Sequence, residues 1–253
     1  MKLSSMSLIF FLAMAPFVFG LEGKELLQAI DRQITFDTDF SGEYTVTQDR
    51  PGEPKSVQTL ALFRRDRESK FTILVMAPDI DKGKGYLKVA NNLWFYDPVG
   101  RRFTVTSAKD RFQNSNARNS DFTRSNLAND YRVVSTAKAT LGRFDTTTMQ
   151  LEATNDAVTF PKTKLWVTAD NLVRKSEDYS LSGQLMRTVA VPQYQKVGNR
   201  WVPVLMVIVD NLKGKKIDGV MRYETTTLNI AKPNIDPVAD LVFTQGYLEK
   251  VAR

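Results

Sequence analysis

The chain has 253 residues, 42% of them hydrophobic, and carries 35 Lys and Arg against 28 Asp and Glu, a formal net charge of +7. That length suits one large all-β domain or two small ones, with enough apolar residues to bury a core. The absence of both cysteine and histidine excludes disulfides, thiolate nucleophiles, zinc–thiolate sites and Ser-His-Asp hydrolysis, and removes the usual general base near neutral pH.

Residues 1–20 have the form of a secretory signal. Lys2 supplies the positive start, Leu8 to Phe19 an apolar run, and Val18-Phe19-Gly20 a cleavage site before Leu21. The run is short for a membrane span, so the expectation is a periplasmic protein, soluble after cleavage, with residues 21–253 as a single domain; an uncleaved N-terminal anchor is the alternative. Leu21 to Phe36 follows as an amphipathic helix with Leu26, Leu27, Ile30 and Ile34 on one face. Its stripe fits either core packing or a membrane surface; the mixed charges opposite favour the core.

Strand signals come next: 41–50, 56–65, 69–77, 85–90, 93–97 and 102–107, punctuated by Pro51-Gly52-Glu53-Pro54, Asn91-Asn92 and Asp97-Pro98-Val99-Gly100. Residues 108–130 differ. They are rich in Asn, Ser, Asp and Arg, with Phe112, Phe122 and Leu127 as the bulky apolar side chains. Ser120 or Asp121 is placed to cap a short helix there. Such a segment is either a lid that plugs a cavity with those three residues or a plain surface loop.

Strands resume at 131–135, 143–153, 163–168, 173–180, 185–191, 200–210 and 219–229, with Asp170-Asn171, Ser182-Gly183, Gly198-Asn199 and Lys213-Gly214-Lys215 as turns. Asp236-Pro237 opens a last helix carrying Leu241, Val242 and Leu248. Short strands on hairpin-length connections pair antiparallel. The basic residues, among them Arg64, Arg65, Arg101, Arg102, Lys213, Lys215 and Lys216, are scattered along the strands. They form a solvated face or attract anionic membranes weakly, and no nucleic-acid motif accompanies them.

A dozen antiparallel strands twist and therefore curl. The expected architecture is mainly β (α+β): a strongly curved antiparallel sheet forming a half-open barrel, with a few short helices covering the concave face. The cleft left between them has the shape of a lipid-binding site. Three strands are apolar on both faces: Thr72-Ile73-Leu74-Val75-Met76, Leu93-Trp94-Phe95-Tyr96 and Val204-Leu205-Met206-Val207-Ile208. They are either central strands covered on both sides or strands with one face on a cavity. Ile73, Val75, Trp94, Tyr96, Phe103 and Val105 are the candidate wall residues, and strand parity leaves open which alternate set points inward.

One region carries a resemblance. Met76-Ala77-Pro78-Asp79, Lys84-Gly85-Tyr86-Leu87, Leu93-Trp94-Phe95-Tyr96-Asp97-Pro98, Arg102 and Asn119-Ser120-Asp121-Phe122-Thr123 occur in that order. Together they resemble the LolA-like outer-membrane lipoprotein-sorting proteins, in their longer, uncharacterised bacterial branch. The likeness is densest over residues 60–130 and continues as spacing through Tyr179, Gly183, Tyr194, Trp201 and Pro203. Asn119 stands where that pattern has glycine. The resemblance implies a hydrophobic cavity under a helical lid and a carrier of lipoproteins or other acylated lipids across the periplasm. Its partners would be an acylated lipoprotein or phospholipid ligand and transfer partners at the inner and outer membranes. No catalytic residue and no cofactor is implied, and a monomer is expected.

Two other readings stay open. Asp79-Ile80-Asp81-Lys82-Gly83 begins like a calcium loop, yet the twelfth position is Ala90 rather than glutamate. Asp79 and Asp81 thus remain a weak calcium site for a calcium-assisted, phospholipase-like enzyme. The last reading is a non-catalytic envelope interaction protein that uses the sheet surface alone.

Overall fold

The computed structural model describes residues 18–252; the expected leader lies outside them except for its last three residues, which open the first helix. That helix, α1 (Val18–Ile34), is followed by six strands: β1 (Asp39–Asp49), β2 (Ser56–Arg65), β3 (Lys70–Ala77), β4 (Gly85–Val89), β5 (Asn92–Asp97) and β6 (Arg102–Val105). A short helix, α2 (Leu127–Asp130), precedes seven more: β7 (Tyr131–Leu141), β8 (Phe144–Ala153), β9 (Lys162–Val167), β10 (Val173–Tyr179), β11 (Leu185–Val197), β12 (Arg200–Ile217) and β13 (Val220–Asn234). Helix α3 (Gln245–Val251) closes the chain. All 13 strands join one antiparallel sheet in the order β6-β5-β4-β3-β2-β1-β13-β12-β11-β10-β9-β8-β7.

Each run of strands is a meander, because hairpin-length turns leave a strand little choice but its neighbour. One pairing is non-local: β1 zips to β13, with Tyr44 opposite Ile230 and Val46 opposite Leu228. The consequence is topological. β6 and β7 are consecutive in the chain yet sit at opposite edges of the sheet. At about 4.8 Å per strand spacing a flat sheet of this width would measure roughly 58 Å. The linker between Val105 and Tyr131 must therefore cross a whole face of the sheet.

Cross-strand register assigns that face. Tyr86 opposite Ile73, Ile73 opposite Leu62, Val75 opposite Leu60, Leu60 opposite Tyr44, Leu228 opposite Met206 and Ile208 opposite Val189 all point one way. The concave face is filled from two sources. Over β1–β5 the crossing linker inserts Phe112 and Phe122, both fully buried in a cluster with Tyr44, Ile73, Val75 and Tyr86. Over β8 and β9, α1 lays Leu27 and Ile30 on Met149, Leu151, Leu165 and Val167. A methyl group added at Gly23 would stand 2.9 Å from Val133 Cβ, so glycine lets α1 approach β7 closely.

Two expectations are corrected. The last helix does not join the concave side: a 3-10 turn at Asp240–Phe243 leads into α3, whose Leu248 packs on Leu74, Leu87 and Tyr96 from the convex face. Lys213-Gly214-Lys215 is strand rather than turn, and the reversal comes at Asp218-Gly219, both with positive φ. Gly214 is small because Met221 Sδ lies 2.8 Å from where its Cβ would be, a close cross-strand approach. The convex side is also held by Arg65, whose guanidinium grips both Asp39 oxygens at 2.9 Å, Asp240 at 2.5 Å and the Val238 carbonyl at 2.6 Å.

Candidate functional site

Where the two concave fillings fail to meet, a cleft of about 600 Å³ remains. Its floor is sheet: Phe71 at one end, then Met206, Val191 and Val189, and Val173 and Leu165 at the other. Its roof comes from Ile34 at the end of α1, from 120–127 of the crossing linker, and from Val158 and Phe160 of the β8–β9 connection. Inward-facing positions of a strand alternate, so β11 presents Arg187, Val189 and Val191 to this space in sequence.

Arg187 is the electrostatic centre of the cleft. It donates from Nη1 and Nη2 to the two oxygens of Asp121 at 2.8 and 3.0 Å, and from Nε to Asp178 at 2.6 Å. Asp121 belongs to the 3-10 turn Asn119–Phe122 of the linker, whereas Arg187 and Asp178 belong to the sheet. The bidentate pair therefore ties roof to floor, beside the Phe122 side chain that wedges under the same turn. Burial opposes the charge on Arg187, yet the two carboxylates more than offset it and push its pKa above the ordinary guanidinium range.

A second tie joins roof to helix. Asp31 of α1 accepts from the amides of Leu127 and Ala128 at 2.9 and 3.0 Å and from Ser125 Oγ at 2.5 Å, capping α2 from another element. Arg64 and Asp66, paired at 2.6 Å, close the cleft beneath Ile34, and Asp66 also accepts from the Phe36 amide at 3.0 Å. Tyr131 donates to the Phe160 carbonyl at 2.9 Å, and burial pushes its phenol up to about 12.

The sequence matches, over residues 67–250, the model of a family described as "-like: Uncharacterized protein". The chain belongs to that family. No curated protein matches it. Solved structures place the fold. A LolA superfamily protein from Nitrosomonas europaea superposes with a TM-score of 0.74 at 20% identity, covering 89% of this chain and 98% of that one. An outer membrane lipoprotein-sorting protein domain from Vibrio parahaemolyticus gives 0.78 at 17%, covering 90% and 99%. A DUF1329 family protein from Desulfovibrio piger gives 0.78 at 16%, covering 91% and 99%. The fold is LolA-like.

Within this LolA-like frame the nine candidate residues separate. Ile73 and Val75 lie on the concave face, under Phe112 and Phe122. Trp94, Tyr96 and Phe103 lie on the convex face with Leu248, and Val105 is 76% exposed at the edge. None of these six lines the cleft, whereas Leu127 does. Asp81 sits against Lys84 Nζ at 2.6 Å and accepts from Gln58 at 2.9 Å; the Lys84 hydrogen bond lowers its pKa, and Asp79 is exposed. A neighbouring ammonium disfavours a cation there. Asn119, in place of glycine, needs no left-handed backbone and donates from Nδ2 to the Ser107 carbonyl at 2.8 Å. Sequence reasoning missed Arg187, Asp178 and the β9–β11 floor. The available signal was the alternation Arg187-x-Val189-x-Val191, a charge in register with two core residues.

Proposed function

We propose that this protein is a periplasmic carrier that shelters the acyl chains of a lipoprotein or phospholipid in the cleft between curved sheet and roof, for delivery toward the outer membrane. Residues 1–20 would direct export and be removed, leaving 21–253 as one lipid-binding domain. The observation that carries this reading is the cleft itself, whose volume falls in the range of small-molecule sites and whose floor is Phe71, Leu165, Val173, Val189, Val191 and Met206. Burying about ten methylenes there is worth roughly 8 kcal/mol against water. The lipoprotein-sorting description of the Vibrio structure supports the same reading. Among the described residues no helix is long and apolar enough to cross a membrane.

Loading and release follow from the roof. Opening the Asp121–Arg187 tie would lift the 3-10 turn and withdraw Phe122 and Phe112, extending the cleft over Ile73 and Val75. The tie itself opens cheaply because both its sides become hydrated. Exposing the two phenylalanines costs about 1.5–3 kcal/mol each unless acyl chain covers them, and a membrane or acceptor protein offering a competing apolar site would take the chain.

The test is direct. Protein expressed from the full sequence, exported and purified without detergent is extracted and examined by mass spectrometry, and titrated with a fluorescent fatty acid. Co-purified acyl lipid and saturable binding are expected. Lipid-free protein that binds no fatty acid overturns the carrier reading in favour of an envelope interaction protein. Calcium-dependent turnover of a phospholipid, lost in Asp79→Ala, overturns it in favour of the enzyme.

A further inference from the structure

A smaller cavity of about 110 Å³ adjoins the cleft, and Arg187 and Phe160 line both. Arg111, Asn116, Arg118, Asp210 and Lys213 form the rest of its polar wall. Four cationic side chains thus meet one carboxylate. That carboxylate is already engaged, since Arg111 Nη2 donates to Asp210 at 2.5 Å. Arg187 is engaged by Asp121 and Asp178. Lys213 faces Glu224 at 3.8 Å, beyond hydrogen-bond distance.

Two groups are left wanting. Arg118 forms no ion pair among the described residues, and its guanidinium donates to the Lys109 carbonyl at 3.0 Å. Burial, then the charges of Arg111 and Arg187, lower its pKa despite Asp121 and Asp210 nearby. Asn116 is 4% exposed; its Oδ1 accepts from Arg111 at 2.7 Å, while its Nδ2 is buried without a partner. A buried donor without an acceptor is costly and uncommon. Water would satisfy the amide, but an oxyanion would satisfy the amide and pair the Arg118 guanidinium as well.

We propose that this pocket holds a compact phosphate-class oxyanion, bound by Arg118, Asn116 Nδ2 and Lys213, and that the oxyanion is the headgroup of the amphiphile whose chain fills the cleft. The second clause rests on the carrier reading. The adjacency through Arg187 and Phe160 supplies the geometry: one molecule reaches both spaces. Guanidinium donors recognise phosphate oxygens in charge-assisted pairs.

The experiment compares inorganic phosphate, dodecyl phosphate and dodecanol by calorimetry on the full exported protein, its Arg118→Gln and Lys213→Gln variants, and an Arg118→Lys control. Dodecyl phosphate is expected to bind roughly tenfold or more tighter than dodecanol, about one charge-assisted contact. Both Gln variants should shrink that margin, Arg118→Lys should keep part of it, and dodecanol affinity should not change. Lys213 is half-exposed, so its variant reports even where Arg118→Gln fails to fold. Arg118-dependent phosphate binding with no gain from the chain upholds the pocket and assigns it a free anion. Equal binding of dodecyl phosphate and dodecanol, with no phosphate binding, overturns the pocket and leaves the carrier standing. Phosphate binding without any dodecanol binding overturns the carrier and leaves the pocket standing.

Discussion

Replacing Asp121 by Asn isolates the tie between roof and sheet. In the native chain Asp121 receives two hydrogen bonds from Arg187, at 2.8 and 3.0 Å, and one from the Arg118 amide at 2.7 Å. The amide oxygen of Asn retains the Arg118 contact, and Asp178 still compensates Arg187 at 2.6 Å. No buried charge is orphaned, so the loss is limited to one charge-assisted pair, about 1.5–3 kcal/mol. Acting on roof opening alone, that shifts the closed–open equilibrium roughly 10- to 150-fold. Hydrogen exchange reads it at the amides of Asn119 and Ser120, which donate to the carbonyls of Asp110 and Ala108 at 3.0 and 2.9 Å. Their exchange should accelerate by that factor while the Val75 amide, bonded to the Lys84 carbonyl at 2.8 Å, keeps its protection. Release of a bound fluorescent fatty acid should accelerate in step. Unchanged exchange at 119–120, or equal acceleration at Val75, refutes a roof that opens on its own.

Further substitutions probe the other joints. Phe122→Asp places a carboxylate among Phe112, Tyr44 and Ile73, so the turn should leave the sheet and co-purified lipid should vanish with the circular dichroism of the sheet intact; full lipid retention sinks the lid assignment. Gly85→Ala sets a methyl 2.6 Å from Leu248 Cδ2 and should cost about 1–3 kcal/mol in urea unfolding. Adding Leu248→Ala should recover part of that loss, and strict additivity would disprove the clash. Acid stability tests the convex network. The Arg65 hydrogen bond holds the Asp39 carboxyl below its ordinary value, against burial. A depressed carboxylate contributes stability that is complete above the unfolded-state pKa of about 3.9 and is lost as pH falls through the folded value. Asp39→Asn should therefore lose about 3 kcal/mol of unfolding free energy at neutral pH and fall less steeply on acidification; a profile parallel to the wild type contradicts the assignment.

Thirteen strands were legible because hairpins are local: apolar alternation between Asn-Asn, Asp-Asn and Ser-Gly turns marks each one. The strands read too short were β7, β11, β12 and β13, whose polar continuations, such as Lys213-Gly214-Lys215-Lys216, run beyond the buried part of the sheet. A strand with solvent on both sides has no hydrophobic period to display. The choice of face was equally hidden. Ile73 and Trp94 are both apolar and both flanked by apolar neighbours, and only the register of β3 on β4 and β4 on β5 sends them to opposite sides. The salt-bridged roof was hidden for a third reason. Arg187 and Asp121 lie 66 residues apart, and nothing local in either stretch names its partner.

The non-local pairing of β1 with β13 explains why a cleft exists at all. It fuses two meanders into one sheet and so leaves β6 and β7 at opposite edges. The linker between them must cross the concave face, and its backbone groups must be satisfied there without a sheet of their own. The chain meets that need locally, through bonds such as Phe112 N to the Ala117 carbonyl at 2.9 Å and Ser120 N to the Ala108 carbonyl at 2.9 Å. A segment closed by its own short-range bonds grips the sheet at a few points: Phe112, Phe122, the Asp121–Arg187 and Arg111–Asp210 pairs, and the Asn116 amide on Thr226 Oγ1 at 2.8 Å. It can therefore peel away beginning at the Asn119–Phe122 turn, opening the Asn119 and Ser120 bonds, without unzipping any strand. α1, by contrast, is held by Leu27 and Ile30 on four residues of β8 and β9 and by the close approach of Gly23 to Val133. The cleft lies at the seam between a movable filling and a fixed one, which is where a carrier has to open.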